Sequence, residues 1–237
     1  MSAENVDDAE LARFDRDAST WWDPNGPFAP LHAINPLRLD YIHARIGRLA
    51  GLDIVDVGCG GGLLCEPMAR AGARVTGIDR APQTLETARL HARGSGLAID
   101  YQEIAAEALA ERAPGRFDVV TCLELLEHVP EPAAVVAACA RLVRPGGAVF
   151  FSTINRTARA WLLAVIAAER VLGLLPAGTH DARAFIRPAE LARWSRQAGL
   201  GMNHLTGLHY NPVTKAFYLA DDSRVNYIAH CTRTGAE

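Results

Sequence analysis

Four features are missing from this 237-residue sequence, and each absence removes a class of protein. The five cysteines (Cys59, Cys65, Cys122, Cys139, Cys231) form no CxxC pair, so neither a disulfide framework nor a structural zinc site is expected. They read instead as small buried apolar residues of a reducing compartment. No stretch reaches the ~20 consecutive apolar residues of a membrane-spanning helix. The basic residues, mostly arginines, are scattered rather than gathered in a stripe, and the net charge is −3, so no nucleic-acid partner is expected. The first residues are acidic (Glu4, Asp7, Asp8, Glu10) with no apolar segment, unlike a signal or transit peptide. The expectation is a cytoplasmic protein.

What is present is an alternation of short apolar runs and helical patterns. Strands are expected at Ile54–Val57, Arg74–Asp79, Ile99–Gln102, Phe117–Cys122 and Ala148–Ile154. Helices are expected between them at Leu63–Ala71, Ala81–Ser95 and Pro132–Val143. Strands separated by helices mean βαβ units and a parallel sheet. A further helix is expected at Pro188–Ala198, and Val225–Cys231 reads as an edge strand. Residues 1–50 form a helical arm ahead of the domain at 51–237, with a helix to about Leu49 carrying Leu39, Ile42, Ile46 and Leu49 on one face. Trp21 and Trp22 either anchor this arm to the core or make it a lid that keeps water from a reacting centre. Thr157–Leu175 is apolar nearly all round, inside an insertion at about 156–187. It packs in the core, lines a pocket for a greasy substrate or touches a membrane.

The stretch Asp53-Ile-Val-Asp-Val-Gly-Cys-Gly-Gly-Gly-Leu63 organises the rest. A buried strand runs into glycines and then a helix, the layout of a nucleotide-type cofactor site. A dinucleotide fingerprint needs a third glycine where Leu63 stands, and no Walker-type lysine follows. Asp79 ends the second strand, the place from which an acid accepts hydrogen bonds from ribose hydroxyls. A ribose acceptor beside Gly58 and Gly60, without a pyrophosphate fingerprint, points to S-adenosylmethionine. Asp56 is expected beneath the loop, orienting its amides. Ligands lie beyond the carboxyl ends of such strands, so Ala106, Glu107, Leu123 and Glu124 should border the adenine and the methyl group.

The motifs Val55–Gly62, Gly77-Ile-Asp79 and Leu142–Gly147 resemble those of class I methyltransferases. More narrowly, Trp21-Trp22, His32–Arg38, Val119–Pro130, Gly178–Asp181 and Thr206–Pro212 resemble the bacterial ubiquinone biosynthesis O-methyltransferase family, over about residues 11–231. The resemblance implies a Rossmann-like fold with a mostly parallel seven-stranded sheet and helices on both faces. It also implies O-methylation of polyprenylated catechols and phenols at two steps of one pathway, in contact with the inner membrane or with other enzymes of that pathway. Arg38, Gly58, Asp79 and Leu123 match its cofactor-contacting positions. Arg38 is placed to pair with the cofactor carboxylate.

Phenol deprotonation needs a base or a cation. Glu124, Glu127 and His128 follow the fourth strand and share a face if helical. In one reading His128 is the base, assisted by Glu127; in another the three hold Mg²⁺, as animal relatives with a similar pattern do; in a third they are structural. His180, His209 and Tyr210 are further pocket candidates. Other readings are a methyltransferase for a different phenol or lipid, and a non-catalytic cofactor-binding partner in a biosynthetic assembly.

Overall fold

The structure is a computed structural model that describes residues 5–157 and 185–235. The apolar helix expected at 157–175, beyond Thr157, and the loop carrying Thr179, His180 and Asp181 lie outside the described residues.

Five parallel strands form the first part of the sheet: β1 (Asp53–Val57), β2 (Arg74–Asp79), β3 (Asp100–Glu103), β4 (Phe117–Leu123) and β5 (Val143–Ile154). Three antiparallel strands complete it: β6 (Leu200–Asn211), β7 (Ala216–Ala220) and β8 (Asn226–Arg233). The order is β3-β2-β1-β4-β5-β8-β6-β7. Strand order reverses at β1, whose neighbours are β2 and β4, and such a switch point opens a crevice at the carboxyl ends of the strands.

Helices cover both faces because successive strand residues alternate sides. Ile54 and Phe150 pack with α2 (Ala29–Ile46), α3 (Cys65–Arg70) and α4 (Pro82–Gly94) through Tyr41, Met68 and Leu85. Val55 and Phe151 pack with α5 (Ala106–Arg112), α6 (Pro132–Leu142) and α7 (Pro188–Gln197) through Leu109, Val136 and Leu191. All five cysteines are buried and unpaired, and none of the described helices is long and apolar enough to cross a membrane.

Two expectations are corrected. Among the described residues the sheet has eight strands rather than seven, and Val225–Cys231 is not an edge. β8 lies between β5 and β6, with Tyr227, Ala229 and Cys231 in one apolar layer and Ile228 in the other. A run apolar on both sides belongs to a covered strand, not an edge. The edge on this side is β7, only five residues long, whose pairing partner β6 carries two glycines that blur its alternation.

The arm begins with α1 (Asp8–Asp17), capped by the Asp7 carboxylate on the amides of Ala9 and Glu10. A 3-10 turn (Ala18–Thr20) leads to Trp21 and then α2. α2 starts at Ala29, earlier than its apolar pattern alone suggests, and its most buried residues are Ile34, Arg38, Tyr41 and Ile42. Their spacing follows the helical period, with an arginine on the buried stripe.

Candidate active site

The glycine turn after β1 is built around Asp79. Oδ2 accepts the Gly60 amide at 2.8 Å, while Oδ1 accepts the amides of Arg80 (2.7 Å) and Ala81 (2.9 Å). Gly60 sits at φ +52°, and a Cβ there or at Gly61 would run into the Trp21 indole. Glycine is therefore required twice over, by left-handed backbone and by the close approach of the arm. The Trp22 Nε1–H donates to Gly61 O at 2.9 Å, and its ring stacks on His91 at 3.5 Å. Thus the arm both anchors to the loop and roofs it.

Asp56 lies beneath the turn but does not orient the amides. Thr121 Oγ1 donates to it at 2.6 Å and Cys65 Sγ at 3.3 Å. The amides of Gly58 and Cys59 go instead to Ile78 O. Burial pushes the Asp56 carboxyl up to about 6, against the pull of Thr121 and Cys65. Asp79 is also raised by burial, opposed by its three backbone donors.

Beyond β4 the expected shared helical face does not form. Glu124 takes left-handed backbone (φ 54°), and only Leu126–His128 coil, as a 3-10 turn. Left-handed backbone on a non-glycine residue is strained, and here it turns the three side chains to different partners. Glu124 lies 2.9 Å from Arg38 Nη2 and accepts from Ser152 Oγ at 2.6 Å and from Asn226 Nδ2. Burial disfavours its charge, but Arg38, Ser152 and Asn226 outweigh it and hold the carboxyl below its ordinary value. Glu127 accepts from Thr153 Oγ1 at 2.8 Å, and burial together with the Glu124 charge pushes it up to about 7. His128 Nδ1 lies 2.8 Å from Glu10 Oε2 on α1, not against Glu127. Burial opposes charge on the imidazole, yet the Glu10 hydrogen bond and the Glu127 charge raise it above the ordinary histidine value. Glu10 is lowered, first of all by that same hydrogen bond. Among the described residues no three His, Cys, Asp or Glu side chains converge to hold a metal ion. The Mg²⁺ reading therefore lacks its donor set here, because each of the three is committed elsewhere.

Glu127 makes stability pH-dependent. The folded chain keeps this proton up to about pH 7, whereas the unfolded chain releases it near 4.5. Between those values the folded state binds more protons, so rising pH costs stability. Glu127→Gln removes the effect. Its denaturation midpoint should gain on the parent's as pH is raised from about 5 to about 8. A gap that stays constant with pH would show that Glu127 does not carry this burden.

One cavity of about 680 Å³ connects these groups. Arg38, Gly58, Gly60, Asp79, Ala106, Leu123, Glu124, Glu127, His128, His209 and Tyr210 all line it, so these cofactor, base and substrate candidates border the same space. His209 Nε2 is held by the Asp222 carbonyl at 2.6 Å, and Tyr210 is at the exposed margin beside Phe217. Phe28, Leu31, Ile34, Leu208 and Phe217 make another part of the wall apolar. Glu10 also lines this wall and carries no local mark in the sequence, since its partner His128 is 118 positions away.

The cavity wall suits S-adenosylmethionine. Arg38 Nε and Trp21 Nε1 are buried donors without a hydrogen-bond partner, and both residues line the cavity. Buried unpaired donors cost stability unless an acceptor arrives, which a carboxylate-bearing ligand supplies. Asp79 Oδ2, with one amide bond, keeps a lone pair for a hydroxyl.

Residues 55–151 match the family model described as a methyltransferase domain. The chain is 58% identical over 229 residues to the ubiquinone biosynthesis O-methyltransferase of Pseudomonas aeruginosa strain UCBPP-PA14, covering 97% of this chain and 98% of that one. It is 60% identical over 232 residues to the ubiquinone biosynthesis O-methyltransferase of Ralstonia nicotianae, covering 98% and 97%. Among solved structures, the magnesium protoporphyrin IX methyltransferase of Synechocystis PCC 6803 with bound SAH superposes with a TM-score of 0.68. The identity is 21%, over 94% of this chain and 95% of that one, so this likeness speaks for the fold.

Proposed function

The chain belongs to the ubiquinone biosynthesis O-methyltransferase family, and from that premise we propose that it methylates ring oxygens of polyprenylated catechol and phenol intermediates at two steps of ubiquinone biosynthesis, using S-adenosylmethionine. One observation carries the reading: a single cavity joins a ribose-type acceptor (Asp79) and a buried cation (Arg38) to an imidazole (His128).

When bound, S-adenosylmethionine would supply a sulfonium-borne methyl group for transfer to a ring oxygen, the sulfur keeping the bonding electron pair. Asp79 and Arg38 would hold the two ends of the cofactor, with Gly58, Gly60, Ala106 and Leu123 shaping the space between them. A ring hydroxyl has a pKa near that of tyrosine, about 10, so at neutral pH its proton must be removed during attack. His128 takes that proton on Nε2 and releases it to solvent. Trp21 and Phe28, with ring centroids 4.0 Å apart, roof the site and exclude water. His209, Tyr210 and the apolar wall receive the substrate ring and the start of its tail. No step is routed through a divalent cation, because Glu124, Glu127 and His128 do not form its ligand set.

A polyprenylated substrate partitions into lipid, so the enzyme works from the cytoplasm against the inner membrane, in company with other enzymes of the pathway. Flotation with liposomes of anionic lipid tests that placement, and protein left wholly in the bottom fraction would argue against it. The activity is tested with labelled S-adenosylmethionine and a short-tailed catechol. Label on a ring oxygen supports the reading; intact cofactor binding with no methylated product would leave a non-catalytic binding partner instead.

A further inference from the structure

We propose that Glu10, on the N-terminal helix, is a positioning residue for methyl transfer: its carboxylate takes the Nδ1–H of His128 and so leaves the Nε2 lone pair for the substrate hydroxyl. The inference rests on His128 being the base.

The geometry begins with a 2.8 Å contact between Glu10 Oε2 and His128 Nδ1. The other oxygen, Oε1, lies 3.5 Å from the Arg13 guanidinium. A carboxylate facing a cation is an acceptor only, so the imidazole must carry its proton on Nδ1 when neutral. The Phe14 ring meets the imidazole edge-on at 5.4 Å and blocks rotation from that side. An orienting carboxylate behind a histidine fixes both tautomer and direction, and its loss impairs proton transfer while leaving binding in place.

The helix that carries Glu10 is pinned at both ends by contacts to distant parts of the chain. Asn5 Nδ2 donates to Glu107 Oε1 at 2.8 Å and to the Glu131 carbonyl at 3.0 Å, while its Oδ1 accepts the Glu131 amide at 2.8 Å. At the other end Asp15 Oδ1 accepts the amides of Gln83 (3.0 Å) and Thr84 (3.1 Å), which are otherwise orphaned in the first turn of α4. Glu10 lies between these anchors. The arm thus does more than roof the cavity: docking it sets the direction of the base.

Three variants, Glu10→Ala, Glu10→Gln and His128→Gln, are compared with the parent using labelled S-adenosylmethionine and a short-tailed catechol. The histidine tautomer is read in parallel by long-range ¹H–¹⁵N correlation. A positioned base contributes roughly 10²–10⁴-fold, so loss of its orienting partner should lower kcat about 10- to 100-fold. KM and cofactor affinity should stay within about twofold of the parent, as uniform binding is untouched. His128 should shift from the Nδ1–H tautomer towards Nε2–H in Glu10→Ala. Glu10→Gln keeps the shape and a neutral acceptor, and should fall between the two. Parent-like kcat in Glu10→Ala, or an unchanged His128 tautomer, overturns the role of Glu10 while His128→Gln is inactive. Full activity in His128→Gln would instead overturn the base assignment on which it rests.

Discussion

Arg38→Met should lose about 1–3 kcal/mol of folding stability and, as a separate effect, most of its affinity for S-adenosylmethionine. The first loss comes from Glu124. That carboxylate lies 2.9 Å from the Arg38 guanidinium, with the Arg38 side chain 8% and the Glu124 side chain 19% exposed. Removing the cation strands a half-buried negative charge, which costs more than the intact pair contributes. Ser152 and Asn226 still donate to Glu124, so the loss falls short of that for a bare charge. The double variant Arg38→Met/Glu124→Gln has no charge to strand and should recover most of the stability. It should not recover cofactor binding, because the unpartnered Nε donor is still missing. A charge-assisted hydrogen bond contributes about 1.5–3 kcal/mol, so affinity should fall roughly 10- to 150-fold in both variants. Chemical denaturation with cofactor titration separates the two effects. Parent-like affinity in the double variant would show that Arg38 serves only to neutralise Glu124.

Asp79→Ala is expected to weaken the cofactor by about 10²–10⁴-fold, the largest binding effect of any single change in the cavity. Its carboxylate does two jobs at once. It gathers the amides of Gly60, Arg80 and Ala81, which shapes the glycine turn and starts α4, and in the proposed binding mode it would offer Oδ2 to a ribose hydroxyl. Alanine removes the ribose acceptor and also frees the Gly60 amide, so the turn loses the bond that spans from β2. A stability cost of about 1–3 kcal/mol accompanies the change where these amides are not reached by water. Asp79→Asn is the informative companion. Its carbonyl can still accept on one side, but its NH₂ must then face an amide donor, so binding should be impaired nearly as much as in alanine. Titration of each variant with S-adenosylhomocysteine measures this. Affinity within about threefold of the parent would remove Asp79 as the ribose acceptor.

The first half of the sheet was legible because its information is local. In β1, the turn and β2, an apolar run, glycines and a terminal acid stand close together in sequence, and their order reflects backbone requirements. The observed β1, β2, β4, α4, α6 and α7 differ from the expected spans by no more than two residues at either end. The C-terminal strands were less legible. β8 is apolar on both sides, yet a sequence does not show which strands will cover it, and β6 contains Gly201 and Gly207, which interrupt the alternation. Gly207 is there because a Cβ would strike the Asp222 backbone, a contact made only in the folded sheet. The candidates Glu124, Glu127 and His128 could be named from their spacing, but not their partners. Those depend on one left-handed residue and on α1, more than a hundred positions away. Arg38 came from resemblance, since an arginine on a helix has no local mark of burial, and only the structure places its guanidinium on Glu124.

In the proposed binding mode the cofactor's ribose end lies on Asp79 and its carboxylate end on Arg38, with His128 left free to reach the ring oxygen. A crystal structure of the complex with S-adenosylhomocysteine decides this. Ribose hydroxyls are expected within hydrogen-bond distance of Asp79 and a carboxylate oxygen on Arg38 Nε, with the Glu10–His128 contact intact. Ligand bound elsewhere in the chain, or seated in the cavity with neither Asp79 nor Arg38 touching it, would overturn the proposed mode.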